Sequence, residues 1–370
     1  MASLTLKIKF TQSNQSKTLR FRADMTVAEA ARLIQQREGE GGPEFGLFQP
    51  KSSRNRPRWL KMDQKLEFYE LRNDDTLEYK KRMRPLKVKL EDGMVKTMLI
   101  DDSHTVAQVV EAIGQKMQLK NWEEFTLKYD TKDQWLVPGA TLAEQGVADR
   151  DAVVLKKRFF VNDANVDRSD PVQLHLVYAQ SKNSIFAGDH PLTPTECANL
   201  IALECQIVHG DYRPAFGYND YKEYLPPQYK NQKGVIEPLL VSEYKKLVGM
   251  TEINAKFRFV SDCRKLKTYG ITTFKVGQKE EGKKKPVERF LGVTRDAIMI
   301  LDGETRAIVR EFPLTHLRRW AAAPKNFTLD FGDYEDDYFS LLTTEGETIS
   351  QLIGGYIDIL LKKRKDAARV

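Results

Sequence analysis

A repeat within the first 160 residues constrains the fold of this 370-residue chain more than any other feature. Each copy opens with an alternating strand pattern, LTLKIKF in the first and PLKVKL in the second. In each copy a threonine then precedes a helical apolar pattern, and these two threonines, Thr26 and Thr105, are 79 residues apart. A two-copy repeat is too short for a solenoid. The sequence therefore predicts two tandem β-grasp lobes, over residues 1–83 and 84–160.

The next segment, residues 161–267, contains mostly helical patterns. Thr193 and Glu196 form a capping-box motif, with a proline at the first helical position between them. Cys197 and Cys205 lie on the apolar face of the helix that follows, which favours a core role for both thiols over a reactive one. We therefore predict a helical lobe here.

Short strand patterns follow one another in residues 268–370, and Asp302-Gly303 is a typical hairpin turn between two of them. A single long helix ends the segment, with Thr344 and Glu347 as its predicted capping box and a full apolar stripe after it. Seven or so antiparallel strands closed by a C-terminal helix predict a β-sandwich of the pleckstrin-homology or phosphotyrosine-binding (PTB) plan.

The formal net charge of +7 is concentrated at one end of the chain. Residues 1–83 contain 17 basic and 11 acidic side chains, whereas each later predicted lobe has a net charge of zero or +1. A basic lobe favours an acidic partner and rapid association with it. The apolar fraction of 41% excludes a disordered chain, and no apolar run reaches the ~18 residues that span a bilayer.

No set of residues predicts catalysis, a cofactor or a metal site. Asp330-Phe331-Gly332 matches a kinase tripeptide, but the glycine-rich loop, the strand lysine and the HRD loop of a kinase are missing. The cysteines fit neither a phosphatase loop, a zinc site nor a disulfide framework, and the five histidines show no metal-ligand spacing. No nucleic-acid motif is present. We therefore expect a binding module in a reducing cytosol rather than an enzyme.

The order of the lobes is that of a FERM domain with an extra ubiquitin-like lobe in front. Several strings resemble the heads of talins, adaptors that link integrin tails to actin, and the most specific are RRWAAAPKNFTLDFGDY (318–334) and TTEGETISQLIGGYIDILLKKRK (343–365). The resemblance covers essentially the whole chain. It implies an α+β multidomain protein with two ubiquitin-like β-grasp lobes, a helical lobe like acyl-CoA-binding protein and a PTB-like β-sandwich with a C-terminal helix.

Two departures from the talin pattern concern length. Talin heads usually carry a long insertion in the second ubiquitin-like lobe, but only five residues separate Tyr129 from Trp135 in this chain. Whatever the insertion does in talins is therefore not expected here. The chain also stops just after its last predicted helix, without the rod that binds vinculin and actin, so we expect a fragment of a longer protein.

The resemblance implies that the last lobe binds a β-integrin cytoplasmic tail of the NPxY type by strand addition. Small alanines at the matching sheet edge would let a peptide backbone approach closely. Alternation along the strand suggests an outward Trp320, and a bulge would change that facing. The matching residues are Arg319, Trp320, Ala321, Ala322, Tyr338 and Ile353, of which the last two also fit the core pattern.

The resemblance also implies binding to an acidic membrane that contains phosphatidylinositol bisphosphate. The candidate residues are Lys283, Lys284 and Lys285 in one loop of the last lobe, and Arg213, Lys222, Lys230 and Lys233 in the helical lobe. Each lysine near an anionic leaflet contributes about 1 kcal/mol. Pro286 replaces a talin leucine and Asn231 replaces a patch lysine, so both sites depart from the talin pattern.

A third implied partner is a Rap-type small GTPase, which adds to the edge of the first lobe and offers acidic side chains to basic ones. The matching positions are Lys17, Arg32 and Arg37, with a secondary site at Lys96 and Lys116 in the second lobe. The sequence thus predicts a non-catalytic adaptor head at the inner face of the plasma membrane and at adhesion sites, which activates integrins by differential binding. Two alternatives remain open: an ezrin-like FERM linker of other receptor tails to actin, and the targeting module of a FERM-bearing signalling enzyme.

Overall fold

The computed structural model describes residues 3–39, 41–132, 134–161, 168–280, 282, 284–332 and 338–367. The chain divides into two compact units, residues 1–156 and residues 157–370.

The first lobe of the first unit is a five-stranded sheet covered by one helix. Its elements are β1 (Ser3–Phe10), β2 (Gln15–Arg22), α1 (Val27–Glu38), β3 (Phe45–Gln49), β4 (Arg58–Trp59) and β5 (Thr76–Lys81). The strand order is β2-β1-β5-β3-β4, so β2 and β4 form its two edges. The capping box predicted at Thr26 is confirmed, because its hydroxyl accepts from the Glu29 amide and the Glu29 carboxylate accepts from the Thr26 amide.

The second lobe of this unit repeats the first. Its elements are β6 (Met83–Lys89), β7 (Val95–Asp101), α2 (Val106–Met117), β8 (Phe125–Tyr129), β9 (Gln134–Trp135) and β10 (Ala152–Lys157). The order β7-β6-β10-β8-β9 matches that of the first lobe strand for strand, and Thr105 caps α2 with Gln108 as Thr26 caps α1. The predicted tandem β-grasp lobes are therefore confirmed. The boundary predicted at residue 84 falls on the second residue of β6.

One buried carboxylate joins these two lobes. Asp102, which is 4% exposed, accepts a hydrogen bond from the Trp59 indole nitrogen at 2.9 Å and from Nε of Arg84 at 2.6 Å. Trp59 belongs to the first lobe, and the other two residues belong to the second. Because a buried carboxylate is stable only when its oxygens are paired, this contact ties the two lobes together.

The second unit begins with a helical lobe. Its helices are α3 (Pro171–Ala187), α4 (Pro194–His209), α5 (Tyr218–Tyr221), α6 (Lys233–Lys245) and α7 (Glu252–Cys263). The predicted capping box of Thr193 and Glu196 begins α4. Cys197 and Cys205 are buried in the core, as predicted, and burial raises the pKa of the Cys197 thiol to about 12. This thiol is therefore protonated and packs as an apolar group.

The last lobe is a seven-stranded antiparallel sheet packed on a long helix. Its elements are β11 (Thr272–Gln278), β12 (Val287–Val293), β13 (Ala297–Asp302), β14 (Ile308–Pro313), β15 (Arg319–Ala323), β16 (Asn326–Asp330), β17 (Tyr338–Leu342) and α8 (Gly346–Ala367). The strand order is β14-β13-β12-β11-β17-β16-β15. The apolar stripe of α8 lies against the sheet, and this plan confirms the predicted PTB-like β-sandwich.

One local prediction in this lobe is wrong. The helix α8 begins at Gly346 rather than directly after Thr344, and it is the Thr343 hydroxyl that accepts from the Glu345 amide. The turn predicted at Asp302-Gly303 is confirmed, because it connects the antiparallel strands β13 and β14. The Asp302 carboxylate accepts from the amides of Glu304 and Thr305 within this loop.

Candidate functional site

The strand β15 forms one edge of the last sheet. Among the described residues it pairs with β16 alone, in a register that places Ala323 opposite Asn326. The connecting loop is two residues long, and the pair that flanks such a loop is hydrogen-bonded. The backbone groups of Trp320 and Ala322, which alternate with the bonded positions, therefore point toward the open side of the sheet.

Trp320 lies on the core face of the sheet, so the predicted outward orientation is wrong. It is opposite Leu329, which is 1% exposed, and its half-buried ring packs against the core. Its indole nitrogen donates to the Ser350 hydroxyl on α8 at 2.9 Å. The large ring thus seals the edge of the core, and its polar atom is satisfied by the helix.

The opposite face of the sheet presents a polar row across three strands. Arg319 is opposite Asp330, and Asp330 is opposite Tyr338. Both Nε and Nη2 of Arg319 contact Oδ2 of Asp330, at 3.0 and 2.8 Å. The Arg319 side chain is 84% exposed and Tyr338 is 56% exposed. The aspartate of the kinase-like tripeptide is therefore the ion-pair partner of Arg319.

Ile353 does not line this surface. It is fully buried with the other apolar residues of α8, so its predicted position in the groove is wrong and its role is in the core. Ala321 and Ala322 are exposed on β15. A Cβ added to Gly346 would lie 3.3 Å from that of Ala322, so small residues let the start of α8 approach the strand. Sequence reasoning missed Gly346 and Ser350, because no local pattern predicts a contact between distant segments.

Three of the four basic residues predicted in the helical lobe, Arg213, Lys222 and Lys233, connect through contacts to the short turn of residues 218–221. Lys222 donates to the Asn219 side chain at 3.2 Å, and the Lys233 ammonium lies 4.8 Å from the centroid of the Tyr218 ring. Arg213 donates to the carbonyl of His209, whose ring contacts the carbonyl of Asp220. Lys230 is also exposed. With Tyr218 itself 37% exposed, this region presents cations around an accessible aromatic ring.

The loop between β11 and β12 is only partly described. Lys283 lies outside the described residues, whereas Lys284 and Lys285 are exposed. Glu280, at the start of the loop, accepts from Nη2 of Arg289 at 2.8 Å. The negative charge of Glu280 is therefore partly offset by Arg289 within the lobe.

The basic positions predicted in the two β-grasp lobes include Lys17 and Lys96 on the edge strands β2 and β7. Lys17 on β2 is opposite Ile8 and forms an ion pair with Glu38 at the end of α1. Arg32 and Arg37 are exposed on α1. One of the three predicted cations is therefore already paired, which lowers the net charge that a partner would meet.

The second lobe reproduces two of these positions. Lys96 on β7 is opposite Val88 just as Lys17 is opposite Ile8, and Lys116 lies in the last turn of α2. Nζ of Lys116 donates to the carbonyl of Leu99 at 2.5 Å. Met117 occupies the helix position that Glu38 has in the first lobe, so the acidic neighbour is replaced by an apolar one.

Four family models match successive parts of the chain. Residues 4–81 match the N-terminal or F0 domain of talin-head FERM, and residues 88–148 match the FERM N-terminal domain. Residues 163–274 match the FERM central domain, and residues 274–361 match the PTB domain of IRS-1 type. None of these four descriptions names a catalytic domain.

Similar curated proteins are talins. Talin-B of Dictyostelium discoideum is 51% identical over 375 residues and talin-1 of Gallus gallus is 40% identical over 408 residues, covering 100% and 99% of this chain. The chain spans only 14% and 16% of their lengths. The alignment with Talin-B is five positions longer than the chain, so a natural relative has a head of nearly the same length.

A solved structure with the same fold is the complex of the FERM and C-terminal domains of Drosophila merlin. It matches with a TM-score of 0.62 at 19% identity, over 77% of this chain and 98% of that one. In the described parts of the chain, no cluster of side chains is suited to hold a metal ion. None of the described helices combines the length and the apolarity needed to cross a bilayer.

Proposed function

This chain belongs to the talin-head family of FERM proteins, and on that premise we propose that it is a non-catalytic adaptor head. It binds a β-integrin cytoplasmic tail through β15, an acidic phosphoinositide membrane through the helical and last lobes, and a Rap-type small GTPase through β2. It acts at the inner face of the plasma membrane, where binding to the separated integrin tail favours the active receptor. Its link to actin runs mainly through the rod of the longer protein.

The observation that carries tail binding is the open edge of β15. Ala321 and Ala322 are exposed and small, so an added strand meets no bulky side chain. The Arg319–Asp330–Tyr338 row presents a charge and an aromatic ring on one face, next to the same edge. These features suit strand addition, in which backbone hydrogen bonds provide affinity and neighbouring side chains provide selectivity.

Tail binding is tested by titrating the isotope-labelled chain with an NPxY tail peptide. We expect the largest NMR shift changes at the amides of Trp320 and Ala322, because their N–H groups face the incoming strand. Weaker changes are expected on α8. Changes centred on β14, the other edge of the sheet, would contradict the proposed mode, and the absence of any change would contradict tail binding itself.

Membrane binding by the helical lobe is supported by the cations around Tyr218. The side chains of Lys222 and Lys233 contact the turn formed by Tyr218 and Asn219, and Val235 nearby in sequence is 50% exposed. Cations beside exposed apolar groups suit the headgroup region of an anionic bilayer. The exposed Lys284 and Lys285 extend the same function to the last lobe.

Charge reversal at the β2 edge tests the proposed binding of the GTPase there. Lys17→Glu with Arg32→Glu is expected to weaken binding of a GTP-loaded Rap-type GTPase about tenfold at low salt, and less at high salt, because exposed charges steer association. Affinity is measured by titration calorimetry at two salt concentrations. Lys51→Glu with Arg56→Glu, at the opposite edge of the lobe, is the matched control and is expected to bind normally. Equal losses in both variants would contradict the assigned site.

A further inference from the structure

The net positive charge of the first lobe is concentrated in one segment. Residues 51–65 contain six basic side chains and one acidic side chain, whereas the remainder of residues 1–83 contains 11 basic and 10 acidic ones. We call residues 51–65 the basic segment. Its residues lie between β3 and the 3-10 turn Leu66–Tyr69 and include β4. Since β4 and β2 are opposite edges of the sheet, the excess charge lies away from the proposed GTPase site.

The arginines of the basic segment line a cleft of about 550 Å³. Arg54, Arg56 and Arg58 form one side, and residues of the second lobe around Gly139 and Glu144 form the other. The only carboxylate of the lining is already engaged, because Oε2 of Glu144 accepts from the Thr141 amide at 2.7 Å. With three arginines and one glutamate, the lining has a net positive charge, part of which Asp75 offsets through its ion pair with Arg54.

Contacts within the lobe hold two of these arginines in place. Nη2 of Arg54 lies 2.9 Å from Oδ1 of Asp75. Nε of Arg58 donates to the Gln49 side chain at 2.7 Å, and its Nη2 donates to the carbonyl of Tyr69 at 3.0 Å. Arg56, which lies between them in the sequence, is exposed. Two anchored guanidinium groups and one exposed group form a preorganised surface for phosphate groups.

An exposed aromatic residue lies beside this surface. Phe68 is 64% exposed, and its ring centroid is 5.2 Å from that of Tyr69. The Arg58 guanidinium carbon lies 5.0 Å from the same Tyr69 ring. An exposed phenylalanine next to basic side chains suits the boundary between headgroups and acyl chains of a membrane.

We propose that the basic segment and Phe68 form a binding surface for the phosphate headgroups of an acidic membrane. This site rests on the membrane binding proposed above and adds a contact in the first lobe. An acidic peptide that adds as a strand is disfavoured, because β4 is two residues long and follows Pro57. The edge β2, which is eight residues long, suits strand addition.

The test is sedimentation of the full chain with phosphatidylcholine vesicles, with and without phosphatidylinositol bisphosphate. Each basic residue near an anionic leaflet strengthens binding about fivefold. We therefore expect Lys51→Glu with Arg56→Glu to weaken binding to acidic vesicles about tenfold or more. Lys7→Glu with Lys81→Glu makes the same change of charge at exposed positions on β1 and β5 of the same lobe, and it is expected to bind nearly as the unaltered chain does. Circular dichroism confirms that both variants are folded.

The possible outcomes distinguish a failure of the basic-segment site from a failure of the proposed membrane binding as a whole. If the unaltered chain does not sediment with acidic vesicles, the proposed membrane function fails. If it does and the two variants bind equally, whether weakened or not, the basic segment is not the site. A soluble inositol phosphate that binds as tightly as the vesicles, with the same loss in the first variant, would assign the surface to a soluble ligand. An acidic peptide that competes fully with the vesicles would assign it to a protein partner, and either result overturns the proposal.

Discussion

Replacing Ala322 with proline is expected to lower the affinity for an NPxY tail peptide about tenfold or more, with little change in melting temperature. Proline lacks the N–H group that Ala322 turns toward the open edge of β15. Loss of that donor and the bulk of the ring both oppose strand addition, and one backbone hydrogen bond contributes about 1 kcal/mol. The bonds between β15 and β16 are kept, because an edge strand tolerates proline where its N–H faces solvent. Affinity is measured by NMR titration and stability by thermal melting.

Ala321→Pro is the matched control, one residue along the same strand. The Ala321 amide points toward β16, so the same substitution removes a ladder hydrogen bond. We expect a clear fall in melting temperature for this variant. If Ala322→Pro instead unfolds the lobe and Ala321→Pro does not, the assigned alternation is reversed. Normal tail affinity of a folded Ala322→Pro chain would contradict strand addition at β15.

Local sequence patterns predicted most of the fold. The candidate site was predicted less well, because its geometry depends on contacts between residues far apart in the sequence. Alternation and capping motifs are local, so they predicted the repeat, the α4 cap at Thr193 and the PTB-like sandwich. The prediction for Trp320 is wrong because Arg318 and Arg319 are both matched to Asp330, and this irregularity breaks the alternation between Leu317 and Trp320. Ile353 fits both a groove and a core by its spacing, and only packing distinguishes the two.

The distribution of charge shows a second limit of sequence reasoning. The net charge of a lobe is a sum over residues, whereas a binding surface depends on which sheet edge carries those residues. The net charge of +6 on the first lobe predicted an acidic partner, and the resemblance to talin heads implied that this partner binds at β2. The strand order instead places the basic segment at β4, and Lys17 on β2 is already paired with Glu38. The contact of Trp59 with Asp102 was missed for a similar reason, because it joins residues of two different lobes.

Removing the buried carboxylate is expected to destabilise the tandem β-grasp lobes. Asp102→Ala leaves the Trp59 indole nitrogen without its acceptor and Arg84, whose side chain is 11% exposed, without its nearest carboxylate. Breaking one partner of a buried pair costs about 3 kcal/mol. Asp149 lies 3.5 Å from Arg84, but its side chain is 79% exposed and offers only a weak replacement. Urea denaturation of the chain measures the loss of unfolding free energy.

Two further measurements distinguish a link between the lobes from simple damage to one of them. Residual dipolar couplings of the two lobes are expected to fit a single alignment tensor in the unaltered chain and two different tensors in Asp102→Ala. Asp102→Leu combined with Arg84→Met replaces both charged partners by apolar groups, and we expect it to recover much of the lost stability.

A loss of unfolding free energy below about 1 kcal/mol in Asp102→Ala would be typical of an exposed ion pair and would contradict the role of Asp102 as a buried link. The proposed GTPase-binding edges, β2 and β7, belong to the two lobes that Asp102 joins. If the lobes have a fixed orientation, both edges are held in one arrangement. If the lobes orient independently, each edge can bind separately.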